Sequence, residues 1–232
     1  MSEPTPSFEE PGSAAQAPAR LFVGQVLANP ANRAILERLP ALGLPDAWLV
    51  AGCLFQTVWN LRTGRPAMDG IRDYDLFYFD ADDLSAEAED AVARRVEAAC
   101  ADLPVTLEVK NQARVHTWYE AHFGAPYSPL QNSMDGIDRF LVEGTCVGLQ
   151  PRADGLKLYA PDGLAGLMGG VLRPNRRSPD PRLYAAKAAD YRRRWPWLTV
   201  LDTESQAPPR PLLAHRIDLQ RALDAGQPLS IR

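Results

Sequence analysis

Asp73 and Asp75 stand two residues apart in "IRDYDLFYFD" (71–80), the most strand-like segment of the chain. Strand interiors usually exclude Asp, so two of them on one strand call for a positive partner. Alternate side chains of an extended segment share a face, which sets these carboxylates about 6.5–7 Å apart along the backbone. Carboxylates that converge in this way can bridge two magnesium ions held about 3.5–4 Å apart. The spacing alone is weak, because a chain of this length holds roughly one Asp-x-Asp by chance. A second pair, Asp80 and Asp82, falls in an expected loop. Context separates the two. In "VTLEVKN" (105–111), Val105, Leu107 and Val109 face one way while Thr106, Glu108 and Lys110 face the other. A strand there, next to the first, adds Glu108 to the same sheet face. Unpaired, three such groups repel one another and resist ionisation, so cations are needed. Two Mg²⁺ bound with a nucleoside triphosphate meet that need. Arg72, Lys110 or Arg114 meet it without any ligand.

The elements that must position these residues follow from periodicity. "RLFVGQVLANPANRAILERLPALG" (20–43) reads as one or two amphipathic helices broken at Pro30. "DAWLVAG" is a short buried strand over about 47–51, ending at Gly52. Leu54, Phe55, Val58, Trp59 and Leu61 then recur at helical spacing, and Gly64 suits the stop. The loop "RPAMDG" leads to a strand at 73–79. "DLSAEAEDAVARRVEAACADL" is the clearest helix, with Ser85 as its cap and Glu87, Glu89 and Asp90 in its first turn, where the dipole favours anions. Beyond the 105–110 strand come a helix over "RVHTWYEAHFG", a short helix near "MDGIDRFL", strands at "TCVGLQ" and "LKLYA", a short helix at "DGLAGLMGG" and a longer one over "PRLYAAKAADYRRRW" stopped by Pro196. A further short helix is expected at 212–224. The fold class expected is α/β: a small mixed sheet, helices packed on one face, carboxylates on the exposed face, and a helical C-terminal part.

Composition excludes several classes. The 232 residues carry a net charge of −4 with 46% hydrophobic residues, which argues against a general nucleic-acid coat. No apolar run is long enough to span a membrane. The Pro- and Ser-rich stretch 1–19 is expected to be a disordered tail rather than a signal peptide. Cys53, Cys100 and Cys146 lie far apart without metal spacing, as do His116, His122 and His215, so neither a disulfide framework nor a zinc site is expected, and a reducing cytoplasm is. One segment departs from the overall balance. From Arg173 to Arg194, eight basic residues against two acids give +6, leaving −10 elsewhere. Such a patch suits phosphates, or is a solvated helix face. Trp118 and Tyr119 read as core residues rather than a base-stacking platform.

The order of strand, Gly52, helix, strand with Asp73-x-Asp75, helix and strand with Glu108 resembles the nucleotidyltransferase core of the DNA polymerase β-like superfamily. More narrowly, "AGCLFQTVWN", "DYDLFYFD", "EVKNQARVHTWYEAHFG", "APDGL" and "RPN" resemble a bacterial nucleotidyltransferase family over roughly residues 20–201, leaving 202–232 as a C-terminal tail. The resemblance implies that Asp73 and Asp75 hold two Mg²⁺, and that Glu108 completes the site and helps activate an acceptor hydroxyl. It also implies that the turn at Gly52 and Cys53 meets the triphosphate of an NTP, ATP first, through backbone amides at a helix N-terminus. Two departures stand out. The superfamily usually places Ser where Cys53 stands, and the longer interval from Gly52 to Asp73 implies a loop inserted at 62–70. Asn111, Gln112, Arg114 and His116 follow the third carboxylate, where they orient nucleotide or acceptor, or else cap the next helix; Arg114 is the nucleotide-binding choice among them. Arg173 and Lys187 are the choices from the basic segment for the triphosphate. The reaction implied moves a nucleoside monophosphate onto an acceptor hydroxyl of a small molecule, an RNA end or a protein, with pyrophosphate leaving. The alternatives are a non-catalytic nucleotide- or partner-binding module of the same fold, and an antitoxin-like enzyme that modifies proteins.

Overall fold

The Asn29 side chain decides how the chain begins its fold. It accepts from the N–H groups of Ala31 and Asn32 and so caps a helix that Pro30 opens. The break expected at Pro30 is therefore a junction between α1 (Ser13–Leu27) and α2 (Pro30–Leu42). The computed structural model describes residues 13–178, 180–201 and 214–217. After α2 come β1 (Trp48–Val50), α3 (Gly52–Arg62), β2 (Tyr74–Tyr78), α4 (Ala86–Ala99) and β3 (Leu107–Asn111). A 3₁₀ stretch, Gln112–Thr117, and the short α5 (Tyr119–Phe123) replace the single helix expected there. The chain continues through α6 (Ser133–Ile137), β4 (Gly148–Arg152), β5 (Gly155–Tyr159), α7 (Ala165–Gly169), β6 (Val171–Leu172), α8 (Tyr184–Arg194), β7 (Thr199–Val200) and β8 (Ala214–Ile217).

The main sheet is mixed, as expected, in the order β3-β2-β1-β4-β5-β8. β2 and β3 run parallel, and α4 supplies the crossover that parallel strands require; the other pairings are antiparallel. β6 and β7 form a separate two-stranded parallel sheet. One face of the main sheet carries Leu49, Tyr74, Leu76, Tyr78, Val109, Leu149 and Leu158 into the principal core. Helix α3 is the centre of that core, buried from Gly52 through Asn60. Trp59 packs against Phe55, Tyr191 and Trp195 with ring centroids 4.7, 5.4 and 5.3 Å away. Their polar handles are satisfied: Trp59 Nε1 donates to Leu167 O, and Trp195 Nε1 donates to Asn60 Oδ1 at 2.9 Å. This cluster fastens α8 across α3, and with it the basic residues of α8.

Three expectations need correction. Helix α1 begins inside the segment 1–19 expected to be disordered; residues from Ser13 on are helical because the Ala-rich stretch favours helix and Ala19, Phe22, Val23 and Val26 bury against the core. Residues 1–12 lie outside the described residues. Of the helix expected at 212–224, the described residues 214–217 form β8 instead, because β5 offers an open edge for them to pair with. The second sheet face is not bare. Trp48, Val50, Ile137, Cys146 and Tyr159 form a smaller apolar cluster there, with Phe77, Met134 and Phe140 packed on it. Helix α6 covers that face because the second-face residues of β1 are apolar, a feature hidden in the short run "WLV", which is buried on both sides.

Candidate functional site

The strand register assembles the acidic cluster. In the parallel pair β2/β3, Asp75 stands directly opposite Glu108, and across the antiparallel pair β1/β2 it stands opposite Val50. Paired residues project to the same side, so Glu108, Asp75 and Val50 form one row across the second sheet face. Asp73 lies one residue before β2, where Tyr74 N is already bonded to Thr106 O. It approaches the site from the end of β1: a Cβ added to Gly52 would lie 3.9 Å from Asp73 Oδ1. The Asp75 carboxyl is pushed up to about 7 by burial, then by the charges of Asp73 and Glu108, against the opposing charges of Lys187 and Lys110. Asp73 and Glu108 thus each act on Asp75 as a nearby like charge. Glu108 is exposed on its edge strand, while Asp73 and Asp75 are partly buried.

The turn beside them is strained and uncapped. Ala51 sits at φ 60°, ψ −130°, a conformation that costs a non-glycine residue about 1–3 kcal/mol. Its N–H bonds to Val147 O, and its carbonyl accepts from Leu54 N and Phe55 N. The first amides of α3 have no intrahelical acceptor, and Ala51 brings no side chain to cap them. This is the arrangement in which a helix N-terminus takes an anion. Cys53 presents only its backbone to the turn. Its thiol is buried in the core and donates to Val50 O, and burial followed by the charge of Asp75 pushes its pKa well up.

A nucleotidyltransferase family model matches residues 37–200, more than two thirds of the chain. The chain belongs to this nucleotidyltransferase family. A solved solution structure, described as revealing a CCA-adding enzyme head domain, superposes with a TM-score of 0.64 at 27% identity. The match covers 78% of this chain and 95% of that one. No curated protein matches.

In this nucleotidyltransferase the remaining candidate residues separate. Lys187, on α8, acts on Asp75 as a nearby positive charge and lies 5.3 Å from the Tyr191 ring centroid. Arg173 stands beside Glu143 with Arg176 and Arg177, and Arg177 pairs with Asp162. The basic segment is thus divided between two places. Arg114 is committed to Glu89, at 2.6 Å with both side chains nearly buried, and to Leu84 O. Glu89 also accepts from Asn111 N. That pair ties the start of α4 to the end of β3, a role for Glu89 beyond the helix dipole. Asn111 bonds both N and O of Asp80 and fixes the loop holding the second Asp-x-Asp. The 62–70 loop is pinned by Asn60 Nδ2 to Ala67 O and Asp69 O and by the ion pair of Arg65 with Asp69. Trp118 and Tyr119 are not core: with His122, Phe123 and Tyr127 they form a partly exposed aromatic cluster.

Two residues near the turn escaped the sequence reading. Gln56 lies one helical turn after Gly52, and Arg194 ends α8 and donates to Gln56 Oε1 at 2.7 Å. The signal for Gln56 was a polar side chain inside an apolar helix; for Arg194 no local signal separated it from its basic neighbours. Among the described residues, no three His, Cys, Asp or Glu side chains close around a single ion position, and no helix is long and apolar enough to cross a membrane.

Proposed function

We propose that residues 20–201 transfer a nucleoside monophosphate from an NTP to an acceptor hydroxyl, releasing pyrophosphate, with divalent cations held by Asp73, Asp75 and Glu108. The observation that carries this reading is the register placing Glu108 opposite Asp75, with Asp73 against the uncapped turn of α3. The donors fit hard cations in type, being carboxylate oxygens on one face, and the raised pKa of Asp75 is what a cation would reverse. The fit is one of donor type and face rather than of a closed cage. When bound, the cations supply charge neutralisation for the carboxylates and the phosphates.

The chain's own residues do the rest. The first amides of α3 and the Lys187 ammonium draw the phosphates toward the turn. Glu108, exposed at the sheet edge, takes the proton of the acceptor hydroxyl as its oxygen bonds to the α-phosphorus. The bond from that phosphorus to the oxygen bridging to the β-phosphorus breaks, and pyrophosphate leaves. Positioning and charge carry most of the rate in such chemistry. The likeness to a CCA-adding head domain favours an RNA 3′ end as acceptor and puts ATP and CTP first among the nucleotides.

The test uses each α-labelled NTP with Mg²⁺ and short RNA acceptors, on wild type and Asp75→Asn. Label should pass to the acceptor with stoichiometric pyrophosphate, and fall at least about 100-fold in the variant. A folded wild type that neither binds nor transfers any nucleotide removes the reading. Binding without transfer to RNA, small-molecule or protein hydroxyls supports a second reading, a nucleotide-binding module, which the open arrangement of the carboxylates favours.

A further inference from the structure

Gly52 is a glycine for a reason that lies one turn along its helix. A Cβ built there would stand 2.6 Å from Gln56 Nε2, so the Gln56 amide already occupies that space. Helical side chains lean toward the N-terminus, which places residue i+4 over residue i. Gln56 is 6% exposed. Its Oε1 accepts from Arg194 Nη2 at 2.7 Å, and that bond settles which end of the amide faces the turn. The bond that the Gln56 amide makes is through Oε1, and Nε2 is the end turned to the start of the helix. The donor is open to solvent rather than sealed in the core, and it stands beside the free amides of α3. Arg194 is itself anchored: it donates to Gly70 O at 2.5 Å and lies 3.9 Å from Asp190. Arg72 and Arg65 act on it as like charges and Asp190 as the opposite one, while Asp73 Oδ1 lies 3.9 Å from the Cβ built at Gly52. The turn itself offers no hydroxyl, since the Cys53 thiol is directed to Val50 O.

We infer that Gln56, held by Arg194, is a phosphate-binding donor, taking an oxygen of the β,γ-phosphate pair that leaves as pyrophosphate. The inference rests on the transfer reading above and adds the recognition of the leaving group. Arg194 is a positioning residue: it orients the Gln56 amide and leaves both Nε2 hydrogens for the ligand.

The experiment titrates Mg²⁺ with inorganic tripolyphosphate, and separately with ATP, into wild type, Gln56→Leu, Gly52→Ala, Arg194→Met and the Gln56→Leu/Arg194→Met double variant. Each single variant should weaken tripolyphosphate binding about tenfold or more, the loss expected for a hydrogen bond to a charged group. Gly52→Ala keeps the test independent of folding. Alanine suits a helix, and only the flexible end of Gln56 must move, so its melting temperature should stay within about 2 °C of wild type. The double variant should bind no more weakly than Gln56→Leu. Tripolyphosphate affinity within twofold of wild type in Gln56→Leu and Gly52→Ala overturns the inference and leaves the transfer reading standing. Additive losses in the double variant overturn the positioning role of Arg194. A folded wild type that binds neither tripolyphosphate nor ATP overturns the transfer reading first, and the inference with it.

Discussion

Removing the charge of Asp75 should stabilise the cation-free protein at alkaline pH while abolishing its response to Mg²⁺. In the fold this carboxyl rises from 3.8 to about 7, because burial and the charges of Asp73 and Glu108 oppose its ionisation. One pKa step is about 1.4 kcal/mol, so keeping Asp75 ionised in the fold costs up to about 4 kcal/mol. The sign follows from proton binding. Below about pH 4 both folded and unfolded chains hold the proton and there is no cost; between about pH 4 and 7 the unfolded chain loses it first and stability falls; above about pH 7 the deficit is complete. Asn at this position carries no charge to penalise. Relaxation and salt remove part of the effect, which leaves about 2 kcal/mol at pH 8, or roughly 4–8 °C in melting temperature. The gap should shrink to about a quarter by pH 4.5. Thermal unfolding of wild type and Asp75→Asn, side by side in chelator across this range, measures it. Mg²⁺ should then raise the wild type toward the variant and leave the variant unmoved. Equal melting temperatures at pH 8, or a less stable variant, would refute the burial of Asp75 beside two like charges.

Other expectations concern the frame around the site. Ala51→Gly relieves the backbone strain at φ 60° and should raise stability by about 1 kcal/mol, seen as a rise of roughly 2–4 °C in thermal unfolding. Arg114→Met leaves Glu89 buried without its partner and should cost about 3–5 kcal/mol in urea unfolding, much of it recovered when Glu89→Leu is added. Gly170→Ala combines φ 71° with a Cβ placed 2.0 Å from Trp197 Cζ3, so the ring that Arg62 covers must move; a loss of about 2–3 kcal/mol by the same measurement is expected.

The acidic residues were legible as candidates because their signals are local. Period-two alternation placed Asp73 and Asp75 on one face and Glu108 among outward residues of the next strand. The boundaries moved: β2 opens at Tyr74 and β3 at Leu107, so Asp75 and Glu108 share a row while Asp73 lies one residue before the strand. The cap at Ser85 and the junction at Pro30 were also local, each set by one residue's conformational preference. Arg114 was harder. In the sequence it is one of several polar residues after β3, and only the approach of α4 gives it to Glu89, 25 positions away.

By itself the sequence determined the strands and helices that frame the acidic residues, from β1 through β3, and which residue types could meet on a face, because those depend on repeats of two and 3.6 along the chain. The tertiary structure alone decided the register that sets Asp75 opposite Glu108, the division of the basic segment between Lys187 at the acidic row and Arg173 at Glu143, and the contact of Arg194 with Gln56 across 138 positions. The places of Lys187 and Arg194 depend on how α8 lies across α3, and that is settled by the packing of Phe55, Trp59, Tyr191 and Trp195. Packing of that kind sums many weak contacts between distant residues, and no local pattern encodes it.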